Sequence, residues 1–218
     1  MNDFIKTIPE GVKLVAVSKT HSCEIIQQAY DSGLRIFGEN KPQELVRKYR
    51  KLPKDIEWHF VGHLQTNKIK YIAPFVSLIH SVDSPKLLAE INKEAAKQNR
   101  IIKCLLQLHI AKEESKFGFT INDLQKYLST KEFLQYAFVK IVGLMGIASF
   151  TSDEILIRNE FRTLGKLFDR LKETTFAGDL DFCELSMGMS NDYEIAISEG
   201  STIIRIGSLI FGERDYSN

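Results

Sequence analysis

The sequence holds few cysteines and prolines, almost no net charge and no long apolar run, and each shortage excludes a class of protein. Three cysteines, Cys23, Cys104 and Cys183, stand far apart among 218 residues. An odd count at that spacing builds neither a disulfide framework nor a CxxC zinc knuckle, and a reducing cytoplasm is the expected compartment. Cys104 and Cys183 lie in apolar runs and are expected as small core residues. Five Pro and 13 Gly are too few for a low-complexity or collagen-like chain. Lys plus Arg number 29 against 28 Asp plus Glu, so no basic surplus exists to grip nucleic acid and no acidic surplus marks a disordered tail. No apolar stretch approaches the roughly 18 residues of a membrane span, and the opening MNDFIKTIPEG lacks an apolar leader segment. His59 and His63, the one i,i+4 histidine pair, fall on a strand-like run, which argues against a helical zinc site.

What is present is alternation. Eight short apolar runs occupy 14–19, 35–40, 58–62, 76–80, 101–108, 141–148, 182–186 and 202–207. Helix-like stretches lie between them at 22–31, 41–51, 67–72, 84–98, from about 122, at 153–172 and at 191–198. The runs lack strict polar alternation, as strands of a parallel sheet buried on both faces do. Ser84-Pro85 and Ser152-Asp153 are helix starts, and Gly33 and Gly200 are stops. The pattern predicts an α/β protein, a single (β/α)8 TIM barrel over 1–218, with a doubly wound sheet as the alternative.

A barrel places its chemistry at the C-terminal strand ends. The first strand puts Val15, Val17 and Lys19 on one face, and the second ends at Gly38-Glu39-Asn40. The seventh ends Ser186-Met187-Gly188-Met189-Ser190, and the eighth puts Ile203, Arg205 and Gly207 on one face before Ser208. The loops after strands seven and eight are frequent phosphate sites in this fold. Their hydroxyls, glycines and helix N-termini suit an anion. Equally, Gly188 and Gly207 can relieve crowding, Ser190 or Asn191 can cap a helix, and Lys19 can reach water. A lysine in a half-apolar mouth near a guanidinium would favour its free amine. That is the form that attacks an aldehyde. Phosphate cradle, amine and buried arginine together suit pyridoxal 5'-phosphate, although Arg205 can equally neutralise phosphate or pair with a carboxylate.

The chain resembles the pyridoxal phosphate homeostasis proteins along its whole length. The resemblance is carried by Ala16-Val17-Ser18-Lys19, Gly38-Glu39-Asn40 with Gln43-Glu44, and the run Trp58 to Gln65. It continues through Glu114-Ser115-Lys116 with Gly118-Phe119, Gly143-Leu144-Met145, Leu185 to Ser190, Arg205-Ile206-Gly207-Ser208 and Ile210-Phe211-Gly212. It implies a barrel similar to the N-terminal domain of alanine racemases (fold type III), binding pyridoxal phosphate. Lys19 matches the lysine that holds the cofactor as a Schiff base. Ser186, Gly207 and Ser208 match phosphate ligands, Arg205 the arginine facing the pyridine nitrogen, and Asn40 a polar lining residue. Thr66, Phe117 and His109-Ile110-Ala111 depart from the commonest family choices without touching that set.

An arginine partner leaves the ring a weak electron sink, since it supplies no proton to the ring nitrogen. The ten residues after Ser208 hold no second domain, so the expectation is cofactor binding without efficient amino-acid turnover. Storage, buffering or delivery to recipient pyridoxal phosphate enzymes, by a monomer without nucleic-acid or membrane partners, is the expected role. Two alternatives stand beside it. One is a pyridoxal phosphate-dependent amino-acid racemase or lyase, with His63, Tyr193 and Tyr216 as acid–base candidates. The other is a sugar-phosphate enzyme using Lys19 without a cofactor. Trp58 is expected in the packing, Met187 and Met189 beside the ring, Lys112 to Lys116 as a loop near the pocket, and His21 as a helix cap.

Overall fold

The computed structural model describes residues 2–112 and 117–212, with the side chains of Asn2 and Asp3 excepted. The motif Glu114-Ser115-Lys116, most of the loop Lys112 to Lys116, and Tyr216 fall outside these residues. Eight parallel strands close into a barrel in sequence order. They are β1 (Lys13–Val17), β2 (Ile36–Glu39), β3 (Glu57–Phe60), β4 (Leu78–Val82), β5 (Ile102–Leu108), β6 (Val139–Gly146), β7 (Glu184–Ser186) and β8 (Ile203–Ile206). Around them run α1 (Asn2–Lys6), α2 (Cys23–Asp31), α3 (Pro42–Lys51), α4 (Ile69–Ile72), α5 (Pro85–Lys97), α6 (Ile121–Ser129), α7 (Glu154–Glu173), α8 (Tyr193–Ser198) and α9 (Ser208–Phe211). The barrel, not the doubly wound sheet, is the fold.

Local chemistry explains the helix starts. Ser22, Ser84, Thr120 and Asp153 accept the amides of Ile25, Leu87, Asp123 and Leu156, satisfying donors that the first helical turn leaves unpaired. Ser22, not His21, caps α2. The ring of His21 instead lies 4.9 Å from that of Phe211. The fourth strand begins two residues later than the apolar run suggested, and α8 begins at Tyr193 rather than 191. There the Asp192 carboxylate accepts the Met189 amide at 2.6 Å and holds the loop before the helix in a turn.

Strand parity splits the core in two. Inside the barrel, Val15, Leu78, Leu105, Val142, Met145 and Ile203 form one apolar cluster. Between barrel and helices lies a larger one, containing Ala16, Phe37, Trp58, Phe60, Ile79, Phe161 and Met187. Trp58 is fully buried there, its ring 5.9 Å from that of Phe37. Met187 belongs to this outer layer rather than to the mouth. Cys104 is buried, but Cys183 is exposed because it precedes β7 at the far end of the barrel. A bulge shifts the β5–β6 register between Cys104 and Leu105. At Gly143, beyond the bulge, φ is +154° and a Cβ would lie 1.7 Å from the Glu184 carbonyl oxygen, so only glycine lets β6 approach β7.

β1 closes the barrel on β8 through four register pairs, from Lys13↔Ile203 to Ala16↔Ile206. Among the described residues no helix is long and apolar enough to cross a membrane.

Candidate functional site

At the C-terminal strand ends a cavity of about 470 Å³ is lined by Lys19, Asn40, Ser190, Arg205, Gly207 and Ser208, with Met189, Asp192 and the loop 147–151 completing its wall. Five of the six residues singled out from the sequence therefore meet in one place. Ser186 does not. It is fully buried inside the barrel, and its hydroxyl accepts from Arg205 Nη1 at 2.6 Å and meets His80 Nδ1 at 3.0 Å. Ser190, four residues on, reaches the cavity instead. The chain gets there through Gly188, whose φ of +88° and whose position (a Cβ would lie 2.7 Å from the Ala196 Cβ) leave room for no side chain.

Lys19 follows β1 on the inward face, above Val15 and Val17. The turn that carries it is tied from behind. Thr20 has a left-handed φ of +71°, and its amide donates to Glu44 Oε1 at 2.7 Å. The Lys48 ammonium, wholly buried, donates to the Ser18 carbonyl at 2.7 Å, to Glu39 Oε1 at 2.6 Å and to Glu44 Oε1 at 2.7 Å. Ser18 Oγ donates to the same Glu39 oxygen at 2.6 Å. Burial raises the Glu39 pKa, with Lys48 pulling against it. Burial also raises that of Glu44, but the hydrogen bond and charge of Lys48 and the Thr20 amide outweigh it, so Glu44 titrates below the usual carboxylate range. Ser18 and Thr20 in the turn after β1, Glu39 at the end of β2, and Glu44 and Lys48 of α3 thus share one ionic knot around the turn that carries Lys19.

Arg205 is 5% exposed. Two of its N–H groups donate to neutral oxygens, Ser186 Oγ and the Gly146 carbonyl, the latter at 3.0 Å. Burial lowers its pKa to about 10, opposed by the field of Asp192. It therefore remains a cation at neutral pH. The loop after β6 is fastened to α7, with the Ser149 amide and hydroxyl both donating to the Glu160 carboxylate at 2.7 Å.

Two of the acid–base candidates, His63 and Tyr193, lie elsewhere. His63 Nδ1 is 3.0 Å from Asp83 Oδ2, and its ring stacks on Phe117 at 3.8 Å. It lines a neighbouring cavity of about 230 Å³ that shares the walls Val61, Gly62 and Ile147. The Tyr193 hydroxyl donates to Glu194 at 3.0 Å, and burial raises its pKa. Among the described residues, the titratable groups lining the larger cavity are Lys19, Asp192 and Arg205. No group of three or more His, Cys, Asp or Glu among them is placed to hold a metal ion.

Fold and site define a class. The family model of the alanine racemase N-terminal domain matches residues 2–215. A Clostridium difficile alanine racemase shares the fold, with a TM-score of 0.75 at 10% identity, over 99% of this chain and 56% of that one. Nearer relatives narrow the class. A pyridoxal phosphate homeostasis protein of Aquifex aeolicus is 43% identical over 209 residues, 94% of this chain and 88% of its own. One from Schizosaccharomyces pombe is 35% identical over 207 residues, 94% and 85% of the two chains. The structure of PipY from Synechococcus elongatus with pyridoxal phosphate bound superposes with a TM-score of 0.87, at 36% identity over 97% of each chain. The chain belongs to the pyridoxal phosphate homeostasis protein family.

Proposed function

We propose that this protein binds pyridoxal 5'-phosphate in intracellular homeostasis of the cofactor, storing, buffering or delivering it without efficient amino-acid turnover. The convergence of Lys19, Ser190, Arg205, Gly207 and Ser208 on one cavity carries this proposal. The residues present fit the group. Lys19 supplies the amine that holds the aldehyde as a Schiff base. Ser190 and Ser208 supply hydroxyls, and Gly207 a backbone with no side chain in the way, for the phosphate. The Arg205 cation would meet the ring nitrogen, and Asn40 is one of the polar groups of the wall.

Bound there, the cofactor brings an electron sink. The chain's own groups restrain its use, because Arg205 stays protonated and offers the ring nitrogen no acid. Among the described residues that line the cavity, Lys19 is the one amine, and racemisation requires two groups that move a proton, one on each face of the α-carbon. The relatives' naming as homeostasis proteins rather than enzymes agrees. In this proposal the protein acts as a monomer and hands the cofactor to recipient enzymes.

The test is incubation with pyridoxal phosphate followed by borohydride reduction and peptide mapping. The expected result is one reduced adduct, on Lys19, absent in Lys19→Ala. An adduct that persists in Lys19→Ala would overturn the assignment. Exchange of α-hydrogens into deuterated solvent at enzyme-like rates would overturn the absence of turnover.

A further inference from the structure

Behind Arg205 runs a chain of polar groups through the barrel interior that the function above does not use. Ser186 Oγ meets His80 Nδ1 at 3.0 Å, and His80 Nε2 meets His59 Nδ1 at 3.0 Å. The two rings lie 5.0 Å apart, and both side chains are buried. They come from β3 and β4 and reach β7 and β8, so four strands are joined by side chains across the interior.

The direction of each bond follows from one fixed charge. Arg205 has donors only, so Ser186 Oγ accepts from it. The hydroxyl proton of Ser186 then needs an acceptor, and among the described residues His80 Nδ1 is the one within reach. Burial drives His80 far below the ordinary imidazole range, with the charges of His59 and Arg205 adding to it. Burial and the fields of Lys13 and Lys103 bring His59 to about 3. Both rings are neutral, and a neutral imidazole carries a single N–H. An accepting Nδ1 puts the His80 proton on Nε2, which donates to His59 Nδ1. His59 in turn carries its proton on Nε2.

We infer that His80 and His59 are positioning residues for Arg205, forming with Ser186 a one-way hydrogen-bond relay that fixes the guanidinium plane while leaving its charge uncancelled. A carboxylate in the place of Ser186 would orient the arginine as well, but would neutralise the charge the cavity presents. Imidazoles orient without neutralising, and the guanidinium polarises each bond down the chain. The inference rests on the assignment of Arg205 to the cofactor ring, yet its first test needs no cofactor.

Side-chain ¹⁵N NMR of the protein without added pyridoxal phosphate should show His80 and His59 as neutral Nε2–H tautomers at pH 7. Ser186→Ala should convert His80 to a tautomer mixture. With pyridoxal phosphate added, Ser186→Ala and His80→Leu should shift the absorbance maximum and weaken binding about tenfold, as loss of one charge-assisted hydrogen bond would. His80→Gln, which keeps an acceptor and a donor, should restore both. An Nδ1–H tautomer at His80 in the unaltered protein, or a His80 tautomer and cofactor spectrum unmoved by Ser186→Ala, overturns the relay. Failure of the unaltered protein to bind pyridoxal phosphate would count against the proposed function alone, because the tautomers are read without it.

Discussion

Among the described residues two cations are buried, Lys48 and Arg205, and the protein treats them in opposite ways. Lys48, behind the barrel wall, is surrounded by the oxygens of Glu39, Glu44 and Ser18, two of them carboxylate. Arg205, inside the barrel, donates to a hydroxyl and a carbonyl. A buried charge matched by carboxylates belongs to the architecture, since removing one partner strands the other. A buried charge held by neutral groups keeps its field for something that arrives later. The first ties down the turn of Lys19, and the second faces the cavity.

If that contrast is correct, Lys48→Met has the largest effect. It leaves Glu39 buried without its cation and should cost about 3–5 kcal/mol. The melting temperature should then fall by roughly 10 °C. Calorimetry checks this, and Glu39→Gln combined with Lys48→Met should recover part of the loss. Full stability in Lys48→Met would erase the distinction.

The histidines behind Arg205 supply the next effect. Their folded pKa values are lowered, His59 to about 3, against an ordinary 6.5. The unfolded chain therefore binds more protons between these limits. The stability they contribute is present above 6.5 and is lost progressively as pH falls from there toward the folded values. His59 alone should remove about 2 kcal/mol between pH 7 and pH 5, and His80 acts in the same direction. Urea unfolding at the two pH values measures the loss, which should shrink in His80→Gln.

Arg205→Met separates the two cations by sign. Relief of a desolvated charge offsets the hydrogen bonds lost by Ser186 and Gly146, so stability without cofactor should stay within about 1 kcal/mol. Pyridoxal phosphate affinity should nevertheless drop at least about tenfold. A destabilisation equal to that of Lys48→Met would make Arg205 another architectural cation. The smallest effect is expected from Glu44→Gln, which keeps an oxygen for the Thr20 amide while weakening its hold. A loss of about 1 kcal/mol and a two- to threefold weaker cofactor titration should result.

Much of the barrel was legible because its signals are local. Apolar runs, serine caps and glycine stops recur unit by unit, and parity alone put Lys19 and Arg205 on the inward face. Ser186 was misplaced because its strand ends with it. The residues that follow are a loop whose path depends on Gly188 and on packing against α8, which the local pattern does not contain. The same gap hid the relay. His59, His80 and Ser186 are separated widely in sequence and become neighbours only when strands three, four and seven share an interior. Cys183 read as core because Phe182 and Leu185 stand close to it in the sequence, although burial depends on where β7 starts.

The closure of β1 on β8 bears on when the ligand can be engaged. Lys19 follows the first strand, while Gly207 and Ser208 follow the last, so the cavity spans the seam at which the ring of strands is completed. Closing that seam requires the most sequence-distant contacts of the barrel, the slowest kind to form. An incompletely synthesised or partly unfolded chain has the lysine but not the cradle. Ligand occupancy is therefore linked to folding of the whole barrel, and each bound molecule stabilises all eight strands by mass action.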